Sequence, residues 1–142
     1  MNFELVSLDG VKFKAQAYSI ILPTASGQIT VLSDHEPLLS VVVPGTITIR
    51  RDKKDPDYKL EHYATFGGVL EVTKIGARVL VDEAAHGDEI SEAEAEKAHK
   101  AALDMLKNAK TQVELDHAQS LVDRQSVRLN VAKIRRRHRR QG

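Results

Sequence analysis

The sequence predicts an α+β protein: an N-terminal antiparallel β-sandwich over residues 1–86, followed by a C-terminal two-helix antiparallel hairpin over 87–142. Three observations carry this. Short β-branched segments in the first part alternate polar and apolar residues with period 2, the signature of half-buried strands. Turn residues recur between those segments. From Asp88 to Gln141 there is neither Gly nor Pro, and the apolar spacing lengthens to that of a helix.

In chain order, Ile20-Ile21-Leu22, Gln28-Ile29-Thr30-Val31, Leu38 to Val43, Thr46-Ile47-Thr48-Ile49-Arg50, Val69-Leu70-Glu71-Val72 and Arg78-Val79-Leu80-Val81 read as strands. Asp9-Gly10, Ser26-Gly27, Pro44-Gly45, Gly67-Gly68 and Ile75-Gly76 divide them, and Asp52 to Asp57 is a polar hairpin tip. Many short strands with frequent turns favour a sandwich or barrel. Gly67-Gly68 fits no phosphate-binding pattern and reads as a bend or a close strand approach.

Beyond Gly87, Ser91 with Glu94 and Thr111 with Glu114 form two capping boxes. They predict a helix from 91 to about 107 and another from 112 to about 137. Asn108 would end the first in the left-handed conformation. Ala95, Ala98, Ala102, Met105 and Ala109 form one stripe, with Leu106 beside it. Ala118, Leu121, Val122, Gln125, Leu129 and Ala132 form the other. An alanine stripe packs closely but buries little apolar area, so the hairpin is expected to detach readily from the β domain.

With three Phe, three Tyr and no Trp, the core must be built mainly from Val, Ile, Leu and Ala. The absence of cysteine excludes disulfides, thiolate metal sites and Cys nucleophiles. Ser7, Ser19 and Ser40 lack any nucleophile signature. Asp82, Glu83, His86, Asp88 and Glu89 match no metal-ligand spacing and read as a polar domain boundary, so neither a metal nor a cofactor is expected. No secretory signal and no apolar run long enough to span a bilayer is expected.

The 21 Lys and Arg nearly balance 20 Asp and Glu, but Lys133 to Gly142 holds six of the bases and no acid, leaving 15 against 20 elsewhere. The run Arg135, Arg136, Arg137, His138, Arg139, Arg140 admits three readings. It is a solvated helix end favoured by the macrodipole, an electrostatic contact to nucleic acid or anionic lipid, or an arm that meets acidic residues of a protein partner. Arg124 and Arg128, four apart, share a helical face and could pair with glutamates of the first helix or with a partner. Nucleic-acid modules usually spread bases and aromatics over a folded face, which this distribution does not do.

Three segments carry a family resemblance. Gly27-Gln28-Ile29-Thr30-Val31-Leu32-Ser33-Asp34-His35-Glu36-Pro37-Leu38-Leu39 resembles the pattern G-E-x-G-(I/V)-L-P-G-H-x-P-L-L. Val43-Pro44-Gly45 resembles K-P-G, and Phe66-Gly67-Gly68-Val69-Leu70-Glu71-Val72 resembles S-G-G-F-L-E-V. Together with the opening Phe3 to Gly10 and the strands-then-hairpin order, the chain resembles the epsilon-subunit family of F-type ATP synthases over nearly its whole length.

The resemblance implies a non-catalytic rotor subunit on the cytoplasmic face of a bacterial inner membrane, peripheral to it. Its partners would be the gamma shaft, the membrane c-ring and, through the hairpin, the catalytic alpha/beta head. Nucleic acid is not an expected partner; a nucleic-acid or anionic-membrane module using the basic tip is the alternative. The resemblance implies c-ring contacts near Gln28 and His35, at one end of the sandwich. Gln28 is neutral where many members have Glu, and Thr30, Ser33 and Asp34 replace two glycines and a proline, so the turn before His35 is expected to be built differently. Arg124, Arg128, Arg135, Arg136, Arg137, Arg139 and Arg140 are the implied contacts to the head, where the hairpin would inhibit ATP hydrolysis. Some members bind ATP through (I/L)-D-x-x-R-A on the first helix and arginines on the second. Here Ile90 to Ala95 places Ser91 and Glu94 where the pattern has Asp and Arg, while Arg124 to Ala132 keeps R-x-x-x-R-L-x-V-A. A carboxylate where phosphates would sit predicts weak or no ATP binding.

Overall fold

A computed structural model describes residues 1–141. Ten strands precede two helices: β1 (Asn2–Ser7), β2 (Gly10–Gln16), β3 (Ser19–Thr24), β4 (Gly27–Leu32), β5 (Leu38–Val42), β6 (Gly45–Arg50), β7 (Glu61–Thr65), β8 (Gly68–Thr73), β9 (Gly76–Val81), β10 (Ala84–His86), α1 (Glu92–Asn108) and α2 (Gln112–Gln141). The ladder runs β10-β7-β6-β3-β5-β8-β9-β1-β2, with β4 on β3, and folds over on itself as the expected sandwich. β3 is the corner strand: Ser19 to Ile21 pair with β6, while Thr24 pairs with Val42 of β5.

Alternation fills the space between the layers. Phe3, Leu5, Ile20, Leu22, Ile47, Ile49, Leu70 and Val79 are buried almost completely, each contributing about 1.5–3 kcal/mol over its exposed state. Aliphatic side chains dominate, as the composition requires; Phe3 and Phe13 add one tilted aromatic contact at 5.7 Å.

One pairing departs from the antiparallel expectation. β1 and β9 run parallel, with Asn2 opposite Gly76 and Val6 opposite Leu80. A Cβ on Gly76 would lie 2.2 Å from the Asn2 carbonyl oxygen, and one on Gly68 would lie 2.0 Å from that of Leu80. Backbones approach there too closely for any side chain, so Gly68 follows the close-approach reading. The turn before His35 carries Asp34 where the family pattern has Gly. Asp34 itself takes φ 68, a left-handed conformation that Asp tolerates, and the His35 N–H donates to the Leu32 carbonyl at 3.2 Å.

The hairpin begins as its capping residues dictate. Ser91 Oγ accepts from the Glu94 N–H at 3.3 Å, and Thr111 Oγ1 from the Glu114 N–H at 3.1 Å. The Glu114 carboxylate reaches back to the Lys110 N–H at 2.9 Å, one residue beyond a standard capping box. Four details correct the sequence reading. Asn108 is the last helical residue and Ala109 beyond it is extended, so no left-handed cap ends α1. Leu106 is half-buried while Met105 is exposed, because a step of four residues from Ala102 rotates about 40° and a step of three about 60°. In α2, Val131 is fully buried although it lies off the expected stripe, whereas Leu121, Val122, Gln125 and Leu129 are only half-buried. α2 continues to Gln141, past the expected end near 137.

Candidate interaction surfaces

Two surfaces stand out, one on the sandwich and one between sandwich and hairpin. On the outer face of one sheet, Val41 is opposite Val69, Val69 opposite Leu80, Leu80 opposite Val6 and Val6 opposite Val11. Directly opposed residues project to the same face. Strands β5, β8, β9, β1 and β2 therefore each supply one aliphatic side chain to a row crossing the sheet. Val41 is 59%, Val69 42%, Leu80 46% and Val11 56% exposed, and Leu39, also on β5, is exposed as well. Isolated exposed aliphatics are ordinary; a contiguous row is a candidate docking surface. The sequence reading missed it.

The second surface is the seat of α2. Ala64, Ala85, Ile90, Ala95, Val131 and Ala132 form a cluster separate from the sandwich core, edged by Phe66, Val127 and Leu129. Around it lies a ring of ion pairs between α2 and the segment joining the two parts. Glu83 takes Arg124 and, at 3.6 Å, Arg128. Asp88 takes Arg135 and, at 4.0 Å, Arg139. Arg136 meets Glu92 of α1 at 2.9 Å. The Arg124 guanidinium also lies 4.5 Å from the centre of the Phe66 ring. Within the chain, Arg124 and Arg128 thus pair with a residue of the polar boundary rather than with α1. Arg137 and Arg140 are exposed.

Beneath this ring, burial holds the His62 imidazole down at about 4, helped by the nearby His138, His86 and Arg135. His86 is raised by Glu61, 3.7 Å away, and Glu61 is lowered to about 2 by His86 and Arg51. Asp82 to Glu89 therefore serves as an electrostatic seam; among the described residues no group of three or more His, Cys, Asp or Glu has metal-holding geometry.

Gln28 and His35 are not brought together. Gln28 is opposite Pro23, while Leu32, just before the His35 turn, is opposite Ser19. Along β4, Gln28 and Leu32 are about 13 Å apart at 3.3 Å per residue. Gln28 belongs to an exposed hairpin tip over residues 25–28. His35 is half-buried at the other end, with Nδ1 2.8 Å from the Glu36 carbonyl oxygen. The expectation that both sit at one end is corrected: seven residues along a motif that includes a strand span the domain rather than one of its ends.

Fold and surfaces together define a β-sandwich module with a C-terminal helical hairpin clasped against it. The family model for the ATP synthase delta/epsilon chain, beta-sandwich domain, matches residues 1–87. The ATP synthase epsilon chain of Sinorhizobium fredii is 36% identical over 89 residues, which are 63% of this chain and 63% of that one. The epsilon chain of Brucella anthropi is 33% identical over 96 residues, 68% of each chain. The match thus spans 63% of the first relative's length, a little under two thirds. Among solved structures, a chain of the Euglena gracilis mitochondrial ATP synthase (OSCP/F1/c-ring) superimposes with TM-score 0.78 at 20% identity, covering 92% of this chain and 79% of that one. A chain of the Tetrahymena thermophila mitochondrial ATP synthase central stalk and c-ring superimposes with TM-score 0.64 at 15% identity, covering 93% and 96%. At these identities the likeness is one of fold. The chain belongs to the delta/epsilon family of ATP synthase subunits.

Proposed function

We propose that this chain is a central-stalk rotor subunit of an F-type ATP synthase, linking the gamma shaft to the membrane c-ring, with the catalytic nucleotide sites on other subunits. The observation that carries this reading is the aliphatic row across β5, β8, β9, β1 and β2, on a domain of this family. It offers the shaft a flat apolar face. Among the described residues no helix is long and apolar enough to cross a membrane. Attachment to the cytoplasmic face of a bacterial inner membrane would then come through the complex.

The ring contact is assigned to Gln28 rather than His35. The 25–28 tip projects into solvent, whereas the His35 imidazole is tied to the following carbonyl. In a complex reconstituted with shaft and c-ring, a cysteine at Gln28 is expected to cross-link to a c subunit and a cysteine at His35 is not. Capture of the chain by the shaft through residues 1–86 tests the wider reading, and no capture would overturn it.

The hairpin is the two-state part: clasped as described, or released so that its arginines reach the catalytic head and inhibit ATP hydrolysis. In the clasped state Arg124, Arg128, Arg135, Arg136 and Arg139 meet this chain's own carboxylates. That leaves the nucleic-acid alternative without a continuous basic face. It also bears on ATP. Glu83 occupies the two arginines that the family motif would offer to phosphates, and Glu94 adds a second carboxylate on α1. Calorimetry with Mg-ATP is expected to give no binding at micromolar nucleotide; a micromolar or tighter Kd would sink this point.

A further inference from the structure

The seat of α2 holds a polar feature that the ion-pair ring does not explain. His62 on β7 is 7% exposed, and its ring centre lies 5.2 Å from that of His138 on α2. His62 Nδ1 is 3.0 Å from Thr48 Oγ1 on β6, but Nε2 is buried without a hydrogen-bond partner among the described residues, and so is Nδ1 of His138. Two imidazoles from opposite sides of the docking surface thus face each other, each with a buried nitrogen left unmatched. Unmatched buried polar atoms are rare and costly, so a state that brings both nitrogens to water competes with the seated one.

We infer that His62, packed against His138 of α2, is a pH-gated latch, in which the His62 ring must be neutral for the C-terminal turns of α2 to stay seated, so that mild acid releases the hairpin. This rests on the reading of the hairpin as a two-state element.

Every cause that shifts His62 pushes the same way. Arg135 of α2 and His86 of β10 both disfavour a proton on His62. Glu61, 3.7 Å from His86, is already shared between His86 and Arg51, and Asp88 lies 3.5 Å from the other nitrogen of His86. Asp88 is engaged by Arg135 and Arg139. His86 and Glu61 both belong to the sandwich and remain together when α2 leaves, so their pairing does not offset the effect. A proton added to the seated pair finds no acceptor and adds to local positive charge; in the released state water accepts it.

His62 in the seated state is held at about 4, below its ordinary 6.5. The seated form therefore binds fewer protons. Its advantage is complete above the ordinary value and is lost progressively as pH falls from 6.5 towards 4. For this one group, the ratio of released to seated hairpin rises about tenfold between pH 7.5 and 5.5.

The chain has no cysteine, so a donor and acceptor dye can be placed on K53C and R137C of the full-length protein. The distance distribution is then read from pH 7.5 to 5.5. The expected result is an approximately tenfold rise in the long-distance population, abolished in His62→Phe, which keeps a ring but removes the titrating nitrogens, and reduced in His138→Phe, which removes one of the groups that disfavour a proton on His62. Should one of these variants fail to fold, the other carries the test. A rise that persists unchanged in the folded variants overturns the latch, because other groups then drive it. Val131→Asp separates the two readings. If it opens the hairpin while acid does not, the latch fails and the two-state hairpin stands. If neither opens it, both fail.

Discussion

Leu80→Asp is expected to weaken capture by the shaft at least ~100-fold while leaving the sandwich folded. Leu80 sits at the centre of the aliphatic row, opposite Val69 on one side and Val6 on the other. It is 46% exposed, so in the isolated chain an aspartate there keeps most of its hydration. The cost to folding is limited to the lower strand propensity of Asp, within about 1 kcal/mol. In a complex the same carboxylate would be buried against an apolar partner with no counter-charge within the row, at a cost of several kcal/mol. Calorimetric titration against the shaft subunit, with thermal unfolding of the isolated chain alongside, reads both quantities. Leu8→Asp is the control. Leu8 is more exposed still, but it lies in the β1–β2 turn and off the row, so its affinity should stay near that of the parent. Equal affinities for all three proteins would remove the row from the docking surface and with it the main support for the rotor reading.

Why the row was not legible beforehand follows from its geometry. Each of five strands contributes one member, between Val6 and Leu80, and no local window contains the pattern. What was legible was local. The alternation of Thr46 to Arg50 fixed which residues face inward, and Ile47 and Ile49 are indeed fully buried. Ser91 and Thr111 marked the helix starts because a capping hydroxyl acts within three residues. Features set by distant pairing were hidden. Period-2 alternation does not say whether a neighbour runs parallel, so the β1–β9 pairing left only Gly76 as a trace. Glu83 and Asp88 read as solvated boundary residues because their arginines lie 41 and 47 positions away. Val131 escaped because α2 is buried in two directions: Ala118 follows the expected stripe, while Val131 joins the cluster with Ala64 and Ala85, and Ala132 belongs to both. A helix covered on two sides has no single stripe to read.

Val131 is also where the hairpin is most vulnerable. Val131→Asp is expected to release α2 while sparing the sandwich. The residue is fully buried in a cluster that otherwise consists of Ala64, Ala85, Ile90, Ala95 and Ala132. Alanine contributes one methyl, about 0.8 kcal/mol when buried. The surrounding ion pairs are partly exposed and contribute about 0–1 kcal/mol each. The seat is therefore held by a few kcal/mol, comparable to the cost of burying one unpaired carboxylate. Arg128 and Arg135 lie three and four residues away on the same helix, but they are committed to Glu83 and Asp88. Recruiting either to the new carboxylate would break the ring that holds α2 down, so both responses weaken docking. The sandwich core from Phe3 to Val79 belongs to a separate cluster and loses nothing. Hydrogen exchange should show protection lost at the seat of α2 and kept in β1 to β9. Trypsin should cut rapidly among Arg135, Arg136 and Arg137 and leave the β domain intact. Unchanged protection of α2 in the variant would mean that the hairpin is an integral part of the fold rather than a clasped element, and the release step would lose its physical basis.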